Sequence, residues 1–472
     1  MAHKLPRFPG APEDEPIGHA GELPAHQPPP LGHSAALPHV KLSAVDAHRD
    51  VPAQRVPDRL IARTVAVDDP DDLVGYLPDP ASVAWVRRGE GMVGWGEAAR
   101  VTVPAGEDRF TAGEKWLREL FDTADVTDEV GIPGSGPVAF GSFTFDPTSD
   151  GSVFVVPRVL LGRSSGRSWL TTIGDQNGPQ APATRPTPPA EVSWHDGSLT
   201  APQWERAVAA AVARIQAGDL SKAVLARDLY ADASEDIDVR VLLARLAERY
   251  PDCWTFSCAG LTGSTPELLV RREGTEVSSL VLAGTTPRGR GQGEDEALGA
   301  ALLASAKDVE EHQYAVADVR ATLTPLCDQL DIDARPSLLR LANVQHLATR
   351  VTGRLARQRP SAAGAAPGEY PTAFALAAAL HPTAAVCGTP TAAAMELIRE
   401  LEGMDRGRYA GPVGWVDAQG NGEWCIALRC AELDGPRARL FAGCGIVAYS
   451  DPAAELAETQ VKFRAMQDAL AG

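Results

Sequence analysis

The stretch from Arg406 to Met466 constrains this chain most. It sets glycine-bearing apolar runs in series and then turns into a helix at Ser450-Asp451-Pro452. Asp451 can cap that helix, and Pro452 suits its first position, where no N–H is needed. Glu455, Glu458 and Lys462 fall at i, i+3 and i+7, so their side chains share one face. Two carboxylates one turn apart can hold a hard divalent cation, and the lysine lies where it can meet an anion that the cation binds. A solvated Glu/Lys face is the competing reading. The glycines weigh against it: a Cβ is in the way where a substrate lies against backbone N–H groups. Ordinary turns explain any one of these glycines but not the ordered series.

A second acidic pair repeats the design. Asp308 and Glu311 stand at i, i+3 in a helical stretch from Gly293 to about Leu330, one helix or two, with Asp318 seven residues beyond Glu311 on the same face. Two helices, each presenting such a pair, can meet around one octahedral cation, and all-oxygen donors favour Mg2+ over zinc.

Along the chain, residues 1–50 are rich in Pro, Gly and His without apolar periodicity. They read as a disordered tail rather than a metal site. Residues 51–198 read as the strand-rich N-terminal part, with a hairpin in SVAWVRRGEGMVGWGEAARVTV and a hairpin turn, not a phosphate loop, at Gly162–Ser168. Residues 199–472 form the remaining, catalytic part. It opens on an amphipathic helix from Thr200 to Gly218 with Trp204, Val208, Val212 and Ile215 as its stripe. The strand LSKAVLARDLYA follows, and Lys222 points along its small apolar face. That lysine is either functional or an edge-strand charge that blocks aggregation. STPELL and EVSSLVLAGT form a hairpin around Glu273–Gly274, with Glu267 on its first strand. Asn177–Pro189 and Arg357–Glu369 read as loops.

The formal net charge of −18 argues against a nucleic-acid footprint and against attraction to anionic membranes. An anionic substrate then needs local positive charge, which a metal, Arg429 and Lys462 can supply. Seven scattered cysteines without a C-x-x-C suggest free thiols in a reducing cytoplasm. Neither a secretory leader nor an 18-residue apolar span is evident, so the expectation is a soluble cytoplasmic protein.

KAVLAR at Lys222–Arg227, STPELL around Glu267, LAGT at Leu282–Thr285, KDVEEH ending in Glu311–His312 and HPTAAVCGTP from His381 complete a set with RGRYAGPVG, GNGEW, LRC and FAGCGIV. In this order they resemble the chorismate-utilising enzymes, and most of all the isochorismate synthases. The resemblance covers the chain from about Trp204 to the C-terminus. It implies an α+β fold of two facing, mostly antiparallel β-sheets with helices outside and the active site between the sheets. It also implies a substrate, chorismate, a Mg2+ cofactor and a monomer with no obligate glutaminase subunit.

By the same resemblance Lys222 is the general base and Glu267 the general acid of an isomerisation in which water adds at C2 and the C4 hydroxyl leaves. Burial on a small apolar face disfavours the charged form of a lysine, and an apolar cleft keeps a carboxyl protonated. Glu311 and Glu458, with Asp308 and Glu455 as direct or water-mediated partners, hold the metal. Arg429 takes a carboxylate, and Gly284, Thr285, Ala385, Gly443 and Lys462 line the substrate. Related anthranilate synthases carry Gln at the position of Lys222, and aminodeoxychorismate synthases a nucleophilic Lys at that of Ala283, so water is the nucleophile here. A salicylate synthase, which also eliminates pyruvate, shares Lys222 and Glu267. A silent chorismate- or Mg2+-binding regulator is the reading from another class. The product serves siderophore or menaquinone biosynthesis, without a sequence feature that chooses.

Overall fold

The computed structural model describes residues 59–174, 185–357 and 369–472. The tail 1–50, most of the 177–189 loop and most of the 357–369 linker lie outside the described residues. The first stretch runs β1 (Ile61–Ala66), β2 (Val83–Arg87), β3 (Glu90–Val103), α1 (Arg109–Asp122), β4 (Asp125–Asp128), β5 (Val138–Ser142), β6 (Ser152–Ser164), β7 (Arg167–Ile173) and β8 (Val192–Asp196). Then come α2 (Ala201–Gln216), β9 (Lys222–Ala233), α3 (Val239–Arg249), β10 (Trp254–Cys258), β11 (Leu261–Thr265), β12 (Leu268–Glu273) and β13 (Glu276–Pro287). They are followed by α4 (Gln292–Ala304), α5 (Ala306–Leu323), β14 (Cys327–Ile332), β15 (Ser337–Arg340) and β16 (Val344–Leu355). The last part holds α6 (Ala373–Leu380), β17 (Gly388–Thr389), α7 (Thr391–Leu401), β18 (Pro412–Asp417), β19 (Gly422–Ile426), β20 (Cys430–Asp434), β21 (Arg437–Ile446) and α8 (Pro452–Ala471).

Local chemistry sets several of these elements. Thr200 and Gln203 form a capping box at α2, whose Trp204, Val208, Ala211 and Ile215 are buried. Asp451 caps α8 by accepting from the Ala454 N–H at 2.9 Å, with Pro452 in its first turn. β2 and β3 form the expected hairpin, Arg87 opposite Glu90. The acidic helical stretch breaks at Ser305, which caps α5 by accepting from the Asp308 N–H, and α5 ends at Leu323.

Among the described residues, every strand pairing but that of β1 with β4 is antiparallel. The ladder branches at β6, which pairs with β3 along one edge and with β5 and then β7 along the other. One limb continues through β3, β2, β10, β11, β20, β21, β9 and β8. The other runs through β5, β18, β19, β12, β13 and β16, with β14 and β15 on β16. The two facing sheets therefore share one hydrogen-bonded network. Strands before residue 198 pair with strands after it, β8 with β9 and β5 with β18.

At the branch, Phe143, Phe154, Phe374 and Trp424 pack together, with ring centroids 4.8 Å apart for Phe143–Phe374 and 5.0 Å for Phe374–Trp424. Burial of each such ring stabilises the fold by roughly 1.5–3 kcal/mol. Helix α5 packs on β13 of the second limb and α8 on β21 of the first.

One two-stranded ribbon passes between the limbs. Gly263 of β11 faces Cys430 of β20 in the first limb, and Leu268 of β12 faces Cys425 of β19 in the second. Across the bend, the Thr265 hydroxyl donates to the Ile426 carbonyl at 2.7 Å, and the Ile426 N–H donates to the Glu267 carbonyl at 3.1 Å. No helix among the described residues is long and apolar enough to cross a membrane.

Candidate active site

A cavity of about 860 Å3, its open mouth included, lies between the limbs. Val224 of β9, Phe441 to Gly445 of β21 and Leu282 to Thr285 of β13 give its sheet walls. Helices α5 and α8 add Lys307, Asp308, Glu311, Glu455, Glu458 and Lys462. Every site residue expected from the sequence lines this cavity except Lys222.

Lys222 lies just behind the wall, fully buried, at the start of a strand flanked on both sides. An edge-strand charge is therefore not its role. Its Nζ stands 3.1 Å from Glu311 Oε1 and makes no well-aligned hydrogen bond. Gly445 is what admits this pair: a Cβ there would stand 2.1 Å from Glu311 Oε1 and 3.2 Å from Lys222 Cε. Burial disfavours the charge of Glu311, but Lys222, Lys462 and Lys307 outweigh it and hold the carboxyl below its ordinary value.

Glu267 is not on a strand. It sits in the bend of the ribbon, between β11 and β12. Burial pushes its carboxyl up to about 8, against the opposing pull of Lys222, Lys462 and Arg429. It thus keeps its proton at neutral pH. Arg429 lies on the returning side of the same bend, between β19 and β20, with φ at 49°, a conformation that costs a non-glycine residue roughly 1–2 kcal/mol. Its carbonyl accepts from the Ser264 N–H at 3.1 Å, which ties the two crossings together. The Arg429 guanidinium has no hydrogen-bond or ion-pair partner among the described residues and lines the cavity.

Gly284 forms a bulge in β13 at φ 78°, and a Cβ there would stand 3.0 Å from Asp308 Cβ. Next to it, the Thr285 hydroxyl lies 3.0 Å from His346 Nδ1, and burial drives His346 well below the usual imidazole range, so its ring is neutral.

The four expected metal carboxylates stand on the same wall, two on α5 and two on α8. No three acidic, histidine or cysteine groups among the described residues form a ready ligand set. Each glutamate is instead held by a lysine: Glu311 by Lys222, Glu455 by Lys307 at 2.8 Å and Glu458 by Lys462 at 2.6 Å. Asp308 is bonded to Ser305 and held above its ordinary value by burial, with Glu311 and Glu458 adding to the shift. Four carboxylates from two helices, with Asp308 repelled by Glu311 and Glu458, are hard oxygen donors that fit a divalent cation in chemical type.

Asp318 does not join this wall. It accepts from the Ala384 N–H at 2.9 Å and so holds the loop that carries Ala385 to the cavity. Sequence reading missed Lys307, His346, Tyr409 and Arg406, all of which line the cavity. Lys307 carried a signal, since a lysine in the first turn of a helix opposes the helix dipole. Arg406 is buried with Glu402 and donates to the carbonyls of Val386 at 2.9 Å and Val224 at 2.7 Å.

Fold and cavity together define a protein with a polar cleft between two sheet limbs, of a size that takes a small molecule. A sequence profile of the chorismate binding enzymes matches residues 82–471. Isochorismate synthase DhbC of Bacillus subtilis is 39% identical over 339 residues, 65% of this chain and 82% of its own length. A putative isochorismate synthase MenF of Mycobacterium tuberculosis is 41% identical over 350 residues, 71% of this chain and 87% of its own. The crystal structure of a putative 2,3-dihydroxybenzoate-specific isochorismate synthase, DhbC from Bacillus anthracis, superposes with a TM-score of 0.68 at 31% identity, covering 83% of this chain and 96% of that one. The chain belongs to the chorismate binding enzyme family.

Proposed function

We propose that the chain is an isochorismate synthase, which moves the hydroxyl of chorismate from C4 to C2. The observation that carries this reading is Glu267, a carboxyl kept protonated to about pH 8 in the same cavity that Lys222 backs. Lys222 takes a proton from the water that attacks C2, and Glu267 gives its proton to the oxygen leaving C4. One water enters and one leaves, so the product is an isomer. Arg429 pairs with a substrate carboxylate in a charge-assisted fork. Ala283 lines the cavity with a bare methyl, so the chain offers no amine of its own there as nucleophile.

Asp308, Glu311, Glu455 and Glu458 are the groups that would hold a Mg2+ ion. When bound it supplies positive charge to the ring carboxylate and to the charge that develops at C1. Gly284, Thr285, Ala385, Gly443 and Lys462 complete the substrate wall. The same reading takes the enzyme as a cytoplasmic monomer that acts without a glutaminase subunit; its seven free cysteines suit a reducing compartment.

Incubating the purified chain with chorismate and Mg2+ and resolving the products by chromatography tests the proposal. Isochorismate is expected. Salicylate with equal pyruvate, beyond spontaneous decay, would make the chain a salicylate synthase, and no turnover would make it a binding protein.

A further inference from the structure

Three lysines answer the four carboxylates of the cavity wall, and they are not equally free. Lys222 is fully buried, and Lys462 is tied both to Glu458 and to the Gly443 carbonyl at 2.8 Å. Lys307 is the most exposed of the three: its side chain is 35% exposed, against 15% for Lys462, whereas that of its partner Glu455 is 3% exposed. Its place in the first turn of α5 is unfavourable for a cation, so the pull toward Glu455 on α8 is what holds it there.

We propose that Lys307 is a positioning residue that occupies Glu455 until the anionic substrate arrives, so that divalent cation and substrate bind together. This rests on the reading of the acidic wall as a cation site. A dication that uses Glu455 must first displace the ammonium. The displaced ammonium then needs another anion, and a dicarboxylate substrate brings one. Each ligand thereby lowers the cost of binding the other, which is a positive coupling between them.

Isothermal titration of the metal-free full chain with Mg2+ alone tests the first half. The Lys307→Met protein is expected to bind Mg2+ about 5- to 50-fold tighter than wild type, within the usual range of such couplings. Lys307→Arg should stay near wild type, as should Lys115→Met, which makes the same charge change at an exposed pair on α1. Repeating the titration in chorismate equilibrated with isochorismate tests the second half. The mixture should tighten Mg2+ strongly in wild type and clearly less in Lys307→Met. Lys307→Gln serves if Lys307→Met does not fold by circular dichroism. Unchanged or weaker Mg2+ binding in the folded variants would overturn the role of Lys307 while leaving the cation site standing. Absence of Mg2+ binding in every form, with and without the mixture, would overturn the cation site itself and the proposal with it.

Discussion

Lys222 Nζ and Glu311 Oε1 lie 3.1 Å apart over Gly445, and the lysine side chain is completely enclosed. If Lys222 is the base, Lys222→Gln should lower kcat by about 10²–10⁴-fold. Steady-state assays on protein whose fold is checked by circular dichroism measure this. Near-normal kcat would remove Lys222 from the chemistry.

Gly445→Ala places a methyl 2.1 Å from Glu311 Oε1, so the carboxylate must move. Overpacking of this kind costs about 1–3 kcal/mol. Both Tm and Mg2+ affinity should fall. A variant that melts and binds Mg2+ like wild type would show that the wall is looser than drawn.

The pH profile follows from Glu267. Its carboxyl is raised to about 8, so it carries its proton through neutrality and loses it above that pH. An acid that must be protonated then gives a rate falling about tenfold per pH unit beyond pH 8. Glu267→Gln should be slow at every pH and lack that limb. A wild-type kcat that stays flat from pH 6 to 10 would contradict the assignment.

Removing metal ligands should weaken two affinities at once. On the proposed reading, Glu458→Ala and Glu311→Ala are expected to raise both the Mg2+ requirement and the KM for chorismate, because one ion would join protein and substrate. Full wild-type activity in excess chelator would dismiss the ion.

The buried pair of Arg406 and Glu402 is a matter of stability. Their side chains are 2% and 1% exposed, and Glu402 also accepts from the Ala226 N–H at 2.7 Å. Arg406→Ala leaves that carboxylate without a counter-charge and should cost about 3–5 kcal/mol in denaturant unfolding. Adding Glu402→Gln should recover part of the loss.

Local rules carried much of this into the sequence. The cap of α8, the stripe of α2 and the acidic spacing of Asp308 with Glu311 follow from i, i+3 and i+4 geometry, which any reader of the chain can apply. Asp318, seven residues beyond Glu311, shares that face and yet turns to Ala384, because periodicity gives a face and not what packs on it. Glu267 read as a strand residue since STPELLV is extended throughout; the bend lies in how β11 and β12 choose different partners. The lysine partners of Glu311 and Glu455 are 89 and 148 residues away in sequence, so no local pattern announces them.

The bent ribbon has a mechanical side. Glu267 and Arg429 ride on one backbone joint, laced by hydrogen bonds on both sides of the crossing, so rocking of the limbs leaves their mutual spacing nearly intact. The opposite rim is fastened differently. Lys222 on β9 reaches Glu311 on α5, and Lys307 on α5 reaches Glu455 on α8, so both pairs run from one limb to the other. The molecule thus resembles a purse with a stitched seam and an electrostatic clasp: added salt loosens the clasp, most at the more exposed Lys307, and leaves the seam alone.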